Sequence, residues 1–200
     1  MVRRIQPSAV PMSRLLSAFI IIALLEVPGP GLVVPAIGQS SSLAPYLATP
    51  PDVVERMLTL GRTDRSDIVY DIGCGDGRIV IAAARKYGAR GVGIDIDEGL
   101  IAKARTAAEA AGVAHLVSFR VQDAMTVDVS EATVVTLYLL AASNAKLRPL
   151  LTARLRPGAR IVAHNYPVGG GWEPEVVDNF TDAAGAMRTL YLWTADGKVH

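Results

Sequence analysis

The feature that most narrows what this chain can fold into is a short acidic, glycine-rich run, Asp71-Ile72-Gly73-Cys74-Gly75-Asp76-Gly77-Arg78. Before it lies the apolar, β-prone stretch Ile68-Val69-Tyr70. After it comes a helix-forming segment from Arg78 to Tyr87 that stops at Gly88. Glycines at alternate positions permit positive φ and let a ligand approach the backbone closely. A strand, a glycine turn and a helix form the opening unit of a parallel sheet, and such sheets bind ligands outside the carboxyl ends of their strands.

The unit recurs along the chain. A strand over Gly91 to Ile96 precedes a helix from Glu98 to Ala111, whose Leu100, Ile101, Ala104, Ala107, Ala108 and Ala111 make one stripe before Gly112 ends it. Further strands are expected at Val117 to Val121, Thr133 to Leu139 and Arg160 to His164. Leu147, Leu150, Leu151 and Leu155 mark a helix between the last two, with its start left open by Pro149. Upstream, Thr49-Pro50-Pro51-Asp52 reads as a helix start with Thr49 as the hydroxyl cap, and Val53, Val54, Met57 and Leu58 share a face before Gly61. Beyond Gly169-Gly170-Gly171, the stretches Glu175 to Phe180 and Met187 to Thr194 flank Asp182-Ala183-Ala184-Gly185, a hairpin signal. The expected class is therefore α/β: a Rossmann-like sheet with helices on both faces and a C-terminal antiparallel hairpin.

Composition bounds the partners. Lys and Arg number 20 against 19 Asp and Glu, so no global positive field draws a polyanion, and nucleic acid is not the expected partner. Cys74 is the single cysteine, which excludes an internal disulfide framework and a thiolate zinc site built from this chain alone. His115, His164 and His200 have no metal-ligand spacing, so no metal is expected. Residues 46–200 suffice for one core that buries about two thirds of the unfolded chain's surface.

Residues 1–45 are expected to be a signal peptide or membrane anchor with a linker. Arg3, Arg4 and Arg14 precede the uncharged run Leu15 to Leu25, which ends in Glu26 and Pro28-Gly29-Pro30-Gly31. A run of about eleven residues suits an export signal and is short for a bilayer of about 30 Å. Ala36-Ile37-Gly38 offers small residues for cleavage, while the second apolar patch Leu32 to Ile37 keeps an uncleaved anchor open. The expected location is exported or membrane-associated, with the arginines directing the domain outward. A cofactor made in the cytoplasm would instead ask for a cytoplasmic-facing domain.

The glycine loop's charge selects among cofactors. Its spacing is G-x-G-x-G, whereas the dinucleotide fingerprint places the third glycine one residue later. A pyrophosphate on this turn would also meet Asp71 and Asp76, both repulsive. S-adenosylmethionine carries no phosphate but presents an amine and a sulfonium, both cationic, so Asp71, Gly73, Gly75, Asp76 and Gly77 are assigned to it. Asp95, at the end of the second strand, is placed to accept from both ribose hydroxyls, with Ile96 beside it, while Asp97 better suits the helix cap. Asp123, with Ala124, follows the third strand and is placed to meet the adenine amino group; an exposed loop aspartate is its plainer role. Cys74 reads as a small apolar side chain under the cofactor. Asn144 suits a helix cap, and Trp172 and Trp193 suit packing.

Asp71 to Arg78 and Gly91 to Asp97 resemble the cofactor motifs of class I S-adenosylmethionine-dependent methyltransferases. Thr49-Pro50-Pro51, Val69 to Val80, Ala132 to Leu140 and Leu155-Arg156-Pro157-Gly158 are similar, more narrowly, to the branch of protein-lysine methyltransferases. That branch includes those acting on the mitochondrial ATP synthase c-subunit and the adenine nucleotide translocase. The resemblance implies a seven-stranded sheet with a reversed last strand and a stretch before the first strand, carrying Tyr46 and Thr49, that closes over the cofactor. It also implies a protein lysine as acceptor, with membrane proteins among the candidates, and places Tyr138 beside the transferred methyl as the candidate catalytic residue. On a buried strand Tyr138 could equally be core, and His164, Asn165 and Tyr166 could line the same opening or support it. Two other readings stay open at this point. A nicotinamide-dependent oxidoreductase on a related sheet would be stabilised by NAD, and a non-catalytic S-adenosylmethionine-binding domain would transfer no label.

Overall fold

The structure is a computed structural model and describes residues 46–200. Helix α1 (Pro51–Leu60) starts where Pro50 and Pro51 fix φ for a first turn and closes at Gly61. Thr49 does not cap it. Pro50 holds the cap position with no side-chain bond to the first turn. Thr49 lies one residue too early, is buried, and its carbonyl accepts from Arg78 Nη1 at 2.9 Å.

The remaining elements are β1 (Ile68–Ile72), α2 (Arg78–Tyr87), β2 (Arg90–Asp95), α3 (Glu98–Ala110), β3 (Val117–Val121), β4 (Val134–Leu137), α4 (Ala141–Arg154), β5 (Arg160–His164), β6 (Val176–Thr181) and β7 (Met187–Thr194). They form one seven-stranded sheet in the order β3-β2-β1-β4-β5-β7-β6. Strands β1 to β5 run parallel, and β7 is antiparallel to both β5 and β6. Val53 and Met57 of α1, Val80 of α2 and Ile101 of α3 pack on one face, and Leu147 and Leu151 of α4 on the other. The alternation of strand and helix thus gives the architecture expected. Pro149 sits inside α4 rather than near its start, between the buried anchors Leu147 and Leu151.

At the amino ends of the strands a buried carboxylate is fully engaged. Asp67, just before β1, accepts from Thr133 Oγ1 at 2.7 Å and from the Asp64 amide at 2.7 Å, and pairs with Arg160 of β5. It ties β1, β4 and β5 together where no ligand is expected.

The localisation expected from residues 1–45 is corrected. That segment lies outside the described residues, and among the described residues no helix is long and apolar enough to cross a membrane. An exported or membrane-associated location is not carried forward.

Candidate active site

The order of the strands reverses at β1: β2 lies on one side and β4 on the other, so their following segments diverge and leave a crevice. A cleft of about 630 Å³ opens there, within the range of sites for small ligands. Tyr46, Thr49, Asp71, Gly73, Gly75 and Asp76 line it, as do Asp95, Ile96, Asp123, Ala124 and Tyr138. Gly77 does not line it. Gly77 has φ +77° at the start of α2, and a Cβ there would strike the Phe119 ring and Ala104. It is needed for the turn and for packing α2 on the sheet.

Asp71 is the most unusual group of the cleft. It is 2% exposed and accepts from Thr136 Oγ1 at 2.7 Å, the residue directly across in the β1–β4 register. Burial pushes its carboxyl up to about 7; the Thr136 bond works against this, while Asp95 and Asp76 add to it. A cation in the cleft would reverse the balance. Asp95 is oriented by the backbone: its Oδ2 accepts from the Gly75 amide at 2.9 Å and its Oδ1 from the Asp97 amide at 3.0 Å. Asp97 caps α3 through the Leu100 amide at 3.0 Å, as expected. Asp123 starts the short 3-10 turn Ala124–Thr126 by accepting from the Met125 amide at 2.9 Å, while still facing the cleft.

Asp76 differs from its expected use as an open negative charge. Arg78 grips it with two bonds, Nε to Oδ1 at 2.8 Å and Nη2 to Oδ2 at 2.6 Å, and holds its carboxyl below the usual range. The same guanidinium reaches back to the Thr49 carbonyl, so Arg78 fastens the segment before α1 to the glycine turn. Tyr46 completes that contact. Its ring lies where a Gly75 Cβ would stand, and burial and then Asp76 raise its phenol pKa. Arg78 is the functional residue that sequence reasoning misses; its place two residues after an acidic group in the turn is the signal that could have found it.

Tyr138, just past β4, stacks on His164 at the end of β5 with ring centroids 3.9 Å apart. His164 is fully buried rather than lining the opening, and neither ring nitrogen has a hydrogen-bond partner among the described residues. Burial, and then Arg188, lower its pKa to about 4, so it is neutral. Asn144 is not a cap: it lies inside α4, and its Nδ2 donates to the Tyr166 carbonyl at 2.8 Å. Asn165 turns the chain at φ +61° and accepts from the Thr189 amide at 3.2 Å. Cys74 is buried and its thiol is pushed up by burial, which suits packing and not nucleophilic attack. Trp193 is buried, with its indole N–H on the Trp172 carbonyl at 2.9 Å. Among the described residues no cluster of His, Cys, Asp or Glu could hold a metal ion.

A crevice at the sheet's switch point, a carboxylate fixed at the end of β2, and a buried carboxylate lacking a cationic partner among the described residues fit a diol-bearing, positively charged cofactor. The fold and the site define a class I S-adenosylmethionine-dependent methyltransferase. The ANTKMT methyltransferase domain matches residues 71–176. A protein-lysine N-methyltransferase of Saccharolobus islandicus is 41% identical over 150 residues, 74% of this chain and 92% of that protein. A lysine N-methyltransferase of the ATP synthase c-subunit, from Xenopus laevis, is 34% identical over 155 residues, 78% of this chain and 66% of that protein. Among solved structures, an RNA methyltransferase from Salinibacter ruber in complex with S-adenosylhomocysteine is 51% identical. It covers 77% of this chain and 97% of its own, with a TM-score of 0.71. The chain belongs to the ANTKMT methyltransferase domain family and is an enzyme that uses S-adenosylmethionine. The oxidoreductase reading is set aside.

Proposed function

We propose that residues 46–200 form the catalytic domain and methylate the side-chain amine of a protein lysine. The observation that carries this reading is the charge of the cleft. Asp71, Asp76, Asp95, Asp97, Glu98 and Asp123 line it; among the described residues the one cation that lines it is Arg78, which is already paired with Asp76. A phosphodiester backbone would be repelled at this mouth, while an alkylammonium is attracted. The names of the Saccharolobus and Xenopus relatives support the same acceptor. The name of the Salinibacter structure makes RNA the outcome to test against.

The cofactor, when bound, supplies a methyl group activated on a sulfonium. Asp95 would accept from the ribose hydroxyls, with Ile96 packed beside it, and Asp123 and Ala124 would meet the adenine. Asp71, Gly73 and Gly75 would hold the amino-acid end, under the cover of Tyr46 and Thr49. Asp76 would act on that cover through Arg78, and Gly77 would shape the turn. Tyr138 would face the acceptor. A lysine amine must be neutral to attack, and its ordinary pKa of about 10.4 keeps it protonated near neutral pH. The aromatic face of Tyr138 can hold the ammonium while its proton passes to solvent, and the enclosing walls then orient the freed lone pair toward the methyl.

The test is incubation of the full chain with methyl-labelled S-adenosylmethionine and, separately, total RNA and total protein, membrane proteins included. Label is expected in protein, in methyl-lysine by mass spectrometry, and lost with Asp95→Ala. Label confined to RNA, or absent from both fractions, overturns the proposal.

A further inference from the structure

We propose that His164 is a positioning residue whose buried imidazole serves as a fixed plate, holding the Tyr138 ring flat in the wall of the cleft where the acceptor's ammonium arrives. The inference rests on the reading of Tyr138 just given. His164 ends β5 and is paired with Leu190 of β7. It is fully buried and does not line the cleft, whereas Tyr138 does. The turn beyond His164 is pinned from two sides. The Asn165 amide donates to the Thr189 carbonyl of β7 at 2.7 Å, and Asn144 of α4 donates to the Tyr166 carbonyl at 2.8 Å. The Tyr166 amide in turn donates to the His164 carbonyl at 2.8 Å. The His164 backbone is therefore tied to both β7 and α4.

On that base the imidazole meets Tyr138 ring to ring, with centroids 3.9 Å apart and planes 28° from parallel. Tyr138 lies in the link between β4, which ends at Leu137, and α4, which begins at Ala141. Its two side-chain torsions there need a restraint from another element. One face of the ring rests on His164, which leaves the other for the cleft. What His164 contributes is its own face. A buried imidazole ordinarily pairs its nitrogens, and among the described residues neither nitrogen of His164 has a hydrogen-bond partner. Burial also keeps the imidazole neutral. A neutral plate leaves the electron-rich face of the phenol free for an ammonium, whereas a cation beneath the ring would compete for the same quadrupole. The plate thus sets orientation without touching the acceptor, and orientation is what this transfer asks of its walls.

The test uses the full chain with ¹³C-labelled tyrosine rings, with Tyr138→Phe assigning the Tyr138 signal, and reads ring order by relaxation. In the intact chain the Tyr138 ring should be as ordered as that of Tyr70, which is 2% exposed, and more ordered than that of Tyr166, which is 38% exposed. His164→Leu keeps an apolar filler and removes the flat face. It should lower the order of the Tyr138 ring and cut the initial rate of label transfer to protein, at saturating S-adenosylmethionine, about tenfold. His164→Phe should restore most of both, since it returns the face without the nitrogens. Calorimetry with S-adenosylhomocysteine should give unchanged affinity in each His164 variant, showing that the fold and cofactor site survive. A Tyr138 ring as mobile as that of Tyr166 in the intact chain overturns the proposal with no variant needed. Unaltered Tyr138 order in His164→Leu, or a folded His164→Phe as impaired as His164→Leu, overturns it as well. A chain that labels no protein yet shows the His164-dependent order would sink the lysine reading alone and leave the link between His164 and Tyr138 standing.

Discussion

Two buried carboxylates bracket β1, and their surroundings are opposite. Asp67, at the amino end, has Arg160, Thr133 and a backbone amide around it; Asp71, at the carboxyl end, has among the described residues only the Thr136 hydroxyl at hydrogen-bond distance. Both are almost wholly excluded from solvent, at 3% and 2% exposure. A buried charge whose partners come from the fold is a structural joint. One left without a cation is a candidate to bind a cation from outside, and meanwhile burial favours its protonated form. The same residue type, four positions apart in sequence, is thus assigned to stability at one end of the strand and to function at the other.

The comparison is broken most directly by removing each partner set in turn. Asp67→Asn should cost about 3 kcal/mol of unfolding free energy in a denaturant titration, since it leaves Arg160 largely buried without its anion. Affinity for S-adenosylhomocysteine should stay within about twofold, and a large loss of affinity would remove the division of labour between the two ends. Asp95→Ala should do the reverse. Two hydrogen bonds to a charged acceptor are worth about 3 kcal/mol together, so affinity should fall about a hundredfold by calorimetry, with a much smaller change in stability.

Titration sharpens the comparison further. Because the Asp71 carboxyl is raised to about 7 in the folded chain, the folded state binds the proton that the unfolded state releases near pH 4. Its contribution to stability is fully present below the unfolded value and is lost as pH rises through about 7. His164, lowered to about 4, works in the opposite sense: its contribution is present above its unfolded value and lost as pH falls. The Asp71 part is therefore isolated by comparing the intact chain with Asp71→Asn, which should flatten the decline between pH 4 and 7. If Asp71 holds the cofactor's cationic end, binding needs the ionised carboxylate, and affinity for S-adenosylmethionine should weaken about fivefold from pH 7 to pH 6 and about tenfold for each further unit in the intact chain. In the variant it should be weak throughout and nearly independent of pH.

Much of this arrangement was legible in the residues, and the division between what was and what was not has a physical basis. Strand and helix periods, the acidic glycine turn and the aspartates after successive strands are local patterns, and they predicted the sheet and the lining of the cleft. Contacts set by strand order were not legible. Thr136 meets Asp71 only because β4 adds beside β1 in register, and Tyr138 stacks on His164 only because β5 adds beside β4. Asp76 was read as an open charge because its partner two residues on, Arg78, can turn either way in sequence; the fold turns it back onto Asp76 and Thr49. Gly77 is assigned to the cofactor together with its neighbours, yet it does not line the cleft with them, and its space is set by Phe119 of β3.

Asp97 provides the smallest effect and the narrowest test, because it is a carboxylate at the ligand end of the sheet with a structural task. It lines the cleft beside Asp95, yet its Oδ1 is committed to the Leu100 amide at the start of α3. Because its bond caps α3, Asp97→Ala should behave as a lost helix cap. That costs about 1 kcal/mol, or a fall of about 2 to 4 °C in the melting temperature of a domain this size. Affinity for S-adenosylhomocysteine should change less than about twofold, since the Asp97 amide that orients Asp95 is backbone and survives the substitution. A loss as large as that of Asp95→Ala would mean that both carboxylates hold the ribose, and that capping α3 does not confine Asp97 to a structural task.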